Sequence, residues 1–344
     1  MTDSLSDPQR PKREEVIQLA HGGGGRMMSD LIQNMIEPAF HNPLSDQRHD
    51  GAVFTVNRGR LAFTADSFVV NPLFFPGGDI GSLAINGVVN DLAMCGARPD
   101  QISVSLILEE GLPMADLKPA LASMANAAAA VGAQIVTGDT KVVERGNGDG
   151  MFVSASAVGV VMARQSPMPA NLQPGDAVIL SGDLGRHGIA VMSARAGITF
   201  DEPFLSDCAP LWPDVEALID GAVDLHCLRD LTRGGLAAAL VEIAETANVS
   251  IEVDGARIPV QPAVQGACEL LGLDPLHVAN EGRYVAFVPE THMDQALAIM
   301  RNRGAAAIIG RVGRLQSGAV LLKSPYGPTR RVHLPSGEQL PRIC

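Results

Sequence analysis

A chain of 344 residues with 46% hydrophobic and 19% charged residues is long enough for about two domains of roughly 100 to 200 residues each, and too apolar to be a disordered polymer. Its formal net charge of −12 excludes a nucleic-acid surface, because neutralising phosphates needs clustered Lys and Arg. Five cysteines without a C-x-x-C pair argue against a disulfide framework or a thiolate zinc centre and for a reducing cytoplasm.

Residues 1–20 are polar and charged, with no apolar stretch ahead of a small-residue cleavage site, and read as a flexible N-terminus rather than a secretory signal. The run His21-Gly22-Gly23-Gly24-Gly25-Arg26 then precedes an amphipathic segment. It fits neither the P-loop nor the dinucleotide-binding fingerprint, and is either a hinge or a set of backbone N–H groups converging on a phosphate. Residues 52–56 and 60–66 are predicted strands joined by a tight turn, and 101–108 alternates at period two, so the three are expected to share a sheet. Between them Ile80, Leu83, Ala84 and Val88 fall at helical spacing, with Gly96 and Pro99 as the stop. A second helix is predicted over 113–131 and a strand over 133–139. The charge-free run between Lys118 and Asp139 is long enough to span a bilayer, but Ser123, Asn126, Gly132 and Gln134 favour a buried helix followed by that strand, and no membrane segment is assigned.

A further strand is expected at 151–161, and the proline-rich stretch 163–176 marks a domain junction. The predicted fold is α/β (α+β) in two domains, 21–164 and 165–325. In the second, helices are expected near 187–196 and 234–247, with strands at 176–182, 249–254, 283–288 and 305–312. Residues 326–344, rich in Pro and Gly and poor in apolar residues, read as a mobile tail that ends in Cys344.

The chemistry-bearing residues are carboxylates on apolar elements. Asp66 and Asp139 are each expected at a strand end, and Asp91, beside Asn90, interrupts an apolar helix. Singly such acids are caps or salt-bridge partners; together they suit Mg²⁺, which takes a few carboxylates and completes its octahedron with phosphate oxygens and water. Lys141, two residues after Asp139, projects to the same side of an extended segment, either to face phosphate or to pair with Asp139. Asp230 to Gly235 open a helix with an acid, a hydroxyl and Arg233 around backbone N–H groups, which a capped helix start explains equally well. Glu281 stands either as a buried general base or in a surface turn beside Arg283, and His187 is a weaker candidate. The Cys344 thiol, at the end of an arm, can enter and leave a pocket.

Taken in order, HGGGGRMM, TADSFVVNPLFFPGGDIG, NGVVNDLAMCGA, LILEEGLP, IVTGDTKVV, LGRHGIA, RDLTRGGLA, NEGR and the closing Pro341-Arg342-Ile343-Cys344 resemble the HypE family of hydrogenase maturation proteins. That family belongs to the wider group that holds aminoimidazole ribonucleotide synthetase, selenophosphate synthetase and thiamine monophosphate kinase. The likeness runs from about His21 to Cys344. It implies a homodimer joined through strands of the N-terminal domain, with ATP between the two domains. It also implies an ATP-dependent carbamoyl dehydratase: the carbamoyltransferase HypF loads Cys344, the S-carboxamide is dehydrated to a thiocyanate, and the cyano group passes to iron on a HypC–HypD complex for nickel-iron hydrogenase. Carried over residue by residue, the likeness gives Cys344, Glu281 and Lys141 to catalysis and Asp66, Asp91, Asp139 and Asp230 to Mg²⁺. It gives Gly22, Gly23, Gly24, Gly25, Asp50, Asn90, Thr140 and Arg233, with Asp66, Asp91, Asp139 and Lys141, to the nucleotide. The alternatives are a selenophosphate synthetase-like kinase, which would carry a reactive Cys or selenocysteine where His21 and the glycines stand, and a non-catalytic scaffold for metal-site assembly that uses Cys344 as a ligand.

Overall fold

The computed structural model describes residues 16–18, 31–41, 59–198, 205–314, 317–324, 327–333 and 342–344. The Gly22 to Gly25 run, Asp50 and the strand expected at 52–56 lie outside the described residues.

The first domain is built on a four-stranded sheet of β1 (Leu61–Phe68), β4 (Ala97–Glu109), β5 (Gln134–Val143) and β6 (Met151–Val161), in the order β1-β6-β4-β5. Only the β4/β5 pair is parallel. A two-stranded ribbon of β2 (Phe74–Phe75) and β3 (Gly78–Asp79) leads into the helix α2 (Ile80–Met94), which follows the short α1 (Glu37–Phe40) in the chain. Asp79 starts α2 by accepting from Gly81 N and Ser82 N, while Ser82 Oγ reaches back to Asp79 N, so two orphan donors are satisfied reciprocally. Gly96, at φ +68°, ends it. With α3 (Met114–Ala130), α2 covers the face of the sheet that carries Val104, Leu106, Val153 and Ala155. Gly87 lets α2 press against Phe68, whose ring would lie 2.6 Å from any added Cβ.

The second domain holds a seven-stranded sheet in the order β13-β12-β9-β11-β7-β10-β8, from β7 (Ala177–Leu180), β8 (Cys227–Asp230), β9 (Ser250–Asp254), β10 (Tyr284–Val288), β11 (Ala307–Val312), β12 (Ala319–Lys323) and β13 (Thr329–Val332). Its helices are α4 (Arg186–Ala196), α5 (Trp212–Asp220), α6 (Gly235–Ala247), α7 (Pro262–Leu271) and α8 (Met293–Arg301). One apolar cluster runs through both domains, joining Ile80, Leu83 and Val88 of α2 to Trp212, Val215 and Leu218 of α5. No helix among the described residues is long and apolar enough to cross a membrane.

Three expectations are corrected. Asp66 and Asp139 do not end their strands, because neighbouring strands stay hydrogen-bonded past them: Asp66 pairs with Ala155 and Asp139 with Ser105. Part of the stretch expected as a mobile tail is the edge strand β13, paired with β12 and anchored by buried Val332. Asp139 and Lys141 also lie on the opposite sheet face from Asp66. A register shift between β4 and β5 at Val136 inserts one residue and reverses the alternation beyond it. Thr140 is therefore buried opposite Leu106, and Asp139 and Lys141 are exposed opposite Ser105 and Ile107.

Candidate active site

The last three residues lie against the chain that continues β1. Val69 N donates to Cys344 O at 3.1 Å and Asn71 N to Arg342 O at 3.4 Å, while Arg195 Nη2 donates to the same Arg342 carbonyl at 2.7 Å. The Arg342 guanidinium pairs with Asp149, sits 5.9 Å from the Phe152 ring centroid and donates to Val69 O. Ile343 and Cys344 are buried. The Cys344 thiol is pushed up to about 12, first by burial and next by the charge of Glu281, and the Arg233 guanidinium opposes this from 3.8 Å.

Glu281 faces that sulfur from a turn whose neighbours are all fixed. Asn280 accepts from Gly185 N at 2.7 Å and donates to the carbonyls of Leu231 and Val278. Gly282 packs so close to Asp207 that a Cβ would come within 1.9 Å of its carbonyl oxygen. Arg283 donates to Asp183. Only 3% exposed, Glu281 has an Oε1 with no hydrogen-bond partner. Burial raises its pKa well above the carboxylate range, Asp230, Asp207 and Asp66 add to the rise, and Arg233 opposes it. A buried acid with an open acceptor, beside a thiol and a guanidinium, is suited to moving a proton on a group carried by that sulfur.

Three of the four expected metal acids come together. Asp91 accepts from Thr64 Oγ1 at 2.6 Å and is raised by burial and by Asp66. Asp230 is raised to about 7, chiefly by burial and then by Asp91. Asp66 raises Asp91, and both raise Asp230; carboxylates crowded in this way gain from a cation between them, so the donor types suit Mg²⁺. Among the described residues no group of three His, Cys, Asp or Glu side chains forms a ready-made metal centre, so phosphate oxygens and water would have to complete the coordination.

The remaining candidates are placed otherwise. Asp139 is held low by its bond with Lys141, whose Nζ lies 2.8 Å from Oδ2, and the pair is exposed. Within one chain it does not join Asp66, Asp91 and Asp230. The Asn90 amide is engaged within the chain: Nδ2 donates to the carbonyls of Ala209 and Glu281, and Oδ1 accepts from Leu211 N at 2.7 Å. It braces the site through these bonds. The sequence did not reveal Asp207, whose carboxylate receives His187 N, Glu281 N and Gly282 N; the one available signal was a lone acid between Ser206 and Cys208.

Comparison with known proteins places the chain in a family. The model of the AIR synthase related protein N-terminal domain matches residues 48–161, and that of its C-terminal domain residues 173–323. The carbamoyl dehydratase HypE of Rhodobacter capsulatus is 47% identical over 337 residues, 96% of this chain and 99% of that protein. The crystal structure of a hydrogenase maturation protein HypE in complex with ATP is similar at a TM-score of 0.91 and 42% identity, covering 95% of this chain and 99% of that one. A HypE–HypF complex is similar at a TM-score of 0.76 and 43% identity, over 89% and 99%.

Proposed function

The chain belongs to the AIR synthase related family, and within it to the HypE carbamoyl dehydratases; on that premise we propose that it uses ATP and Mg²⁺ to dehydrate an S-carboxamide on Cys344 to a thiocyanate. The product supplies the cyano ligand for the iron of nickel-iron hydrogenase. The observation that carries this reading is the docked terminus, which sets Cys344 beside Glu281, Arg233 and Asp66 of β1.

An amide does not lose water readily, because oxide is a poor leaving group. The carboxamide oxygen therefore attacks the γ-phosphate of ATP, ADP departs, and the oxygen becomes part of a phosphate ester. Two protons then leave the nitrogen as the C–O bond breaks and phosphate is released, so the carboxamide loses the elements of one water and ATP is converted to ADP and phosphate. Arg233 faces the cargo and offsets negative charge, and Glu281 accepts a proton from the nitrogen. Asp66, Asp91 and Asp230 would hold Mg²⁺, which supplies charge neutralisation on the phosphates. The crowding of three carboxylates supports that assignment.

Asp139 and Lys141 enter through a homodimer. The sheet face that carries them also exposes Phe63 at 72% and Leu61 at 49%, apolar surface that a second subunit would cover. Both residues would then serve the partner's nucleotide. The similarity to the HypE–HypF complex supports HypF as the loading partner, with a HypC–HypD complex as the acceptor and the cytoplasm as the compartment, consistent with five free cysteines.

The test is to incubate the protein with the carbamoyltransferase, carbamoyl phosphate and ATP and to weigh the C-terminal peptide. It should gain one carbamoyl group and then lose one water, and Cys344→Ala should do neither. An unchanged mass with an active transferase would remove the reading.

A further inference from the structure

His187 is fully buried near the start of α4, and its two ring nitrogens have different partners. Nε2 lies 2.9 Å from the carbonyl oxygen of Ile343, and Nδ1 lies 2.9 Å from Ser206 Oγ. A carbonyl only accepts, so Nε2 carries the proton, and Nδ1 of the neutral ring then accepts a hydrogen bond from the Ser206 hydroxyl. Ser206 is set up to give it, because its oxygen already receives Cys208 N at 3.0 Å. Burial lowers the pKa of the ring and keeps it neutral. The Phe75 ring, edge-on at 5.3 Å, fixes its plane.

The backbone ties this ring to the reacting cluster. His187 N donates to Asp207 Oδ1, and Asp207 Oδ2 receives Glu281 N and Gly282 N. One carboxylate thus sets both the ring that touches the terminus and the acid that faces the thiol. The other described backbone contacts of the terminus hold the carbonyls of Arg342 and Cys344. The Ile343 carbonyl between them is the one that His187 meets.

We propose that His187 is a positioning residue that holds the Ile343 carbonyl and thereby fixes where the Cys344 sulfur stands relative to Glu281. It touches no reacting atom. Its effect on catalysis rests on the dehydratase reading, whereas its effect on docking does not.

The test uses the full chain and compares His187→Gln, whose amide N–H replaces the Nε2 donor, with His187→Met, of similar size but without one. Alkylation of Cys344 by iodoacetamide is followed by the mass of the C-terminal peptide, with exposed Cys95 as the internal standard. Loss of one buried hydrogen bond should speed Cys344 labelling about tenfold in the Met variant, while the Gln variant stays within about threefold of the parent. On carbamoylated protein, single-turnover dehydration should slow by a similar factor in the Met variant and recover in the Gln variant. Equal labelling in parent, Gln and Met proteins overturns the proposal. If labelling responds as expected but the parent itself does not dehydrate, the dehydratase reading fails and the positioning role stands. Should His187→Met not fold, His187→Phe, which keeps a ring but has no donor, takes its place; an unchanged rate there overturns the proposal as well.

Discussion

At the scale of single residues, burial decides the state of the Cys344 thiol. Cys344, pushed up to about 12 from an ordinary value near 9, is neutral when docked. A group whose pKa is raised in the docked state favours docking fully below its free pKa and loses that contribution as pH climbs through the docked one. Retention of the terminus should therefore be constant up to about pH 9 and weaken from there toward 12. Carboxypeptidase release from the parent, divided by release from Cys344→Ser, which has no ionising group, should rise with pH from about 9; a flat ratio would sink the argument. The S-carboxamide has no thiol proton, so the loaded form should dock without this dependence. Cys344 was legible because it stands in the Pro341-Arg342-Ile343-Cys344 motif behind a Pro/Gly-rich stretch, and Glu281 because a carboxylate directly ahead of an apolar run must either be paired at the surface or buried for use. His187 and Asp207 were much less so, since their roles consist of contacts with residues far along the chain, to Ile343 in one case and to Glu281 in the other.

Among the elements, α2 carries the most of the site. It presents Asp91 to Thr64 on one side and Asn90 to the 209–211 segment on another, while Asp79 caps its start. Asn90→Ala would leave Leu211 N and the Glu281 carbonyl short of a buried partner. A loss of about 1 to 3 kcal/mol in urea unfolding is expected, and a variant as stable as the parent would remove the bracing role of Asn90. Apolar spacing predicted α2 and α3, which are long, and α4 and α6 were also expected to within a residue or two. Of the helices the sequence did not announce, α5 and α7 place Pro213 and Pro262 in their first turns, where proline costs no hydrogen bond yet reads in sequence as a breaker. In β13 Thr329, Arg330 and Arg331 are exposed and Val332 alone is buried, too little alternation to be recognised. The register shift at Val136 had no signature either. A bulge is set by what the neighbouring strand requires, so the common side of Asp139 and Lys141 was readable and the face they share was not.

The whole molecule brings these levels together at the junction of its domains. A single apolar cluster joins α2 to α5, so the acids of the first domain and the Glu281 turn of the second are held in one frame. That frame leaves Asp139 and Lys141 on the far side of the first sheet, in company with exposed Phe63 and Leu61. If a second subunit covers this face, Lys141 acts on the neighbour's reaction and not on its own, and subunit mixing decides the matter. Lys141→Ala and Cys344→Ala homodimers should each fail to convert a loaded terminus, the first for want of the cation and the second for want of the acceptor. In a mixed dimer the intact Cys344 and the intact Lys141 sit on different chains. Action across the interface then restores thiocyanate formation on the Lys141→Ala chain, at about the single-site rate of the parent. Action within one chain restores nothing, because the only chain with an acceptor lacks the lysine. The readout is the mass of the C-terminal peptide after the two variants are unfolded together and refolded, and a mixed dimer that stays inactive would place Lys141 outside the reaction of the partner.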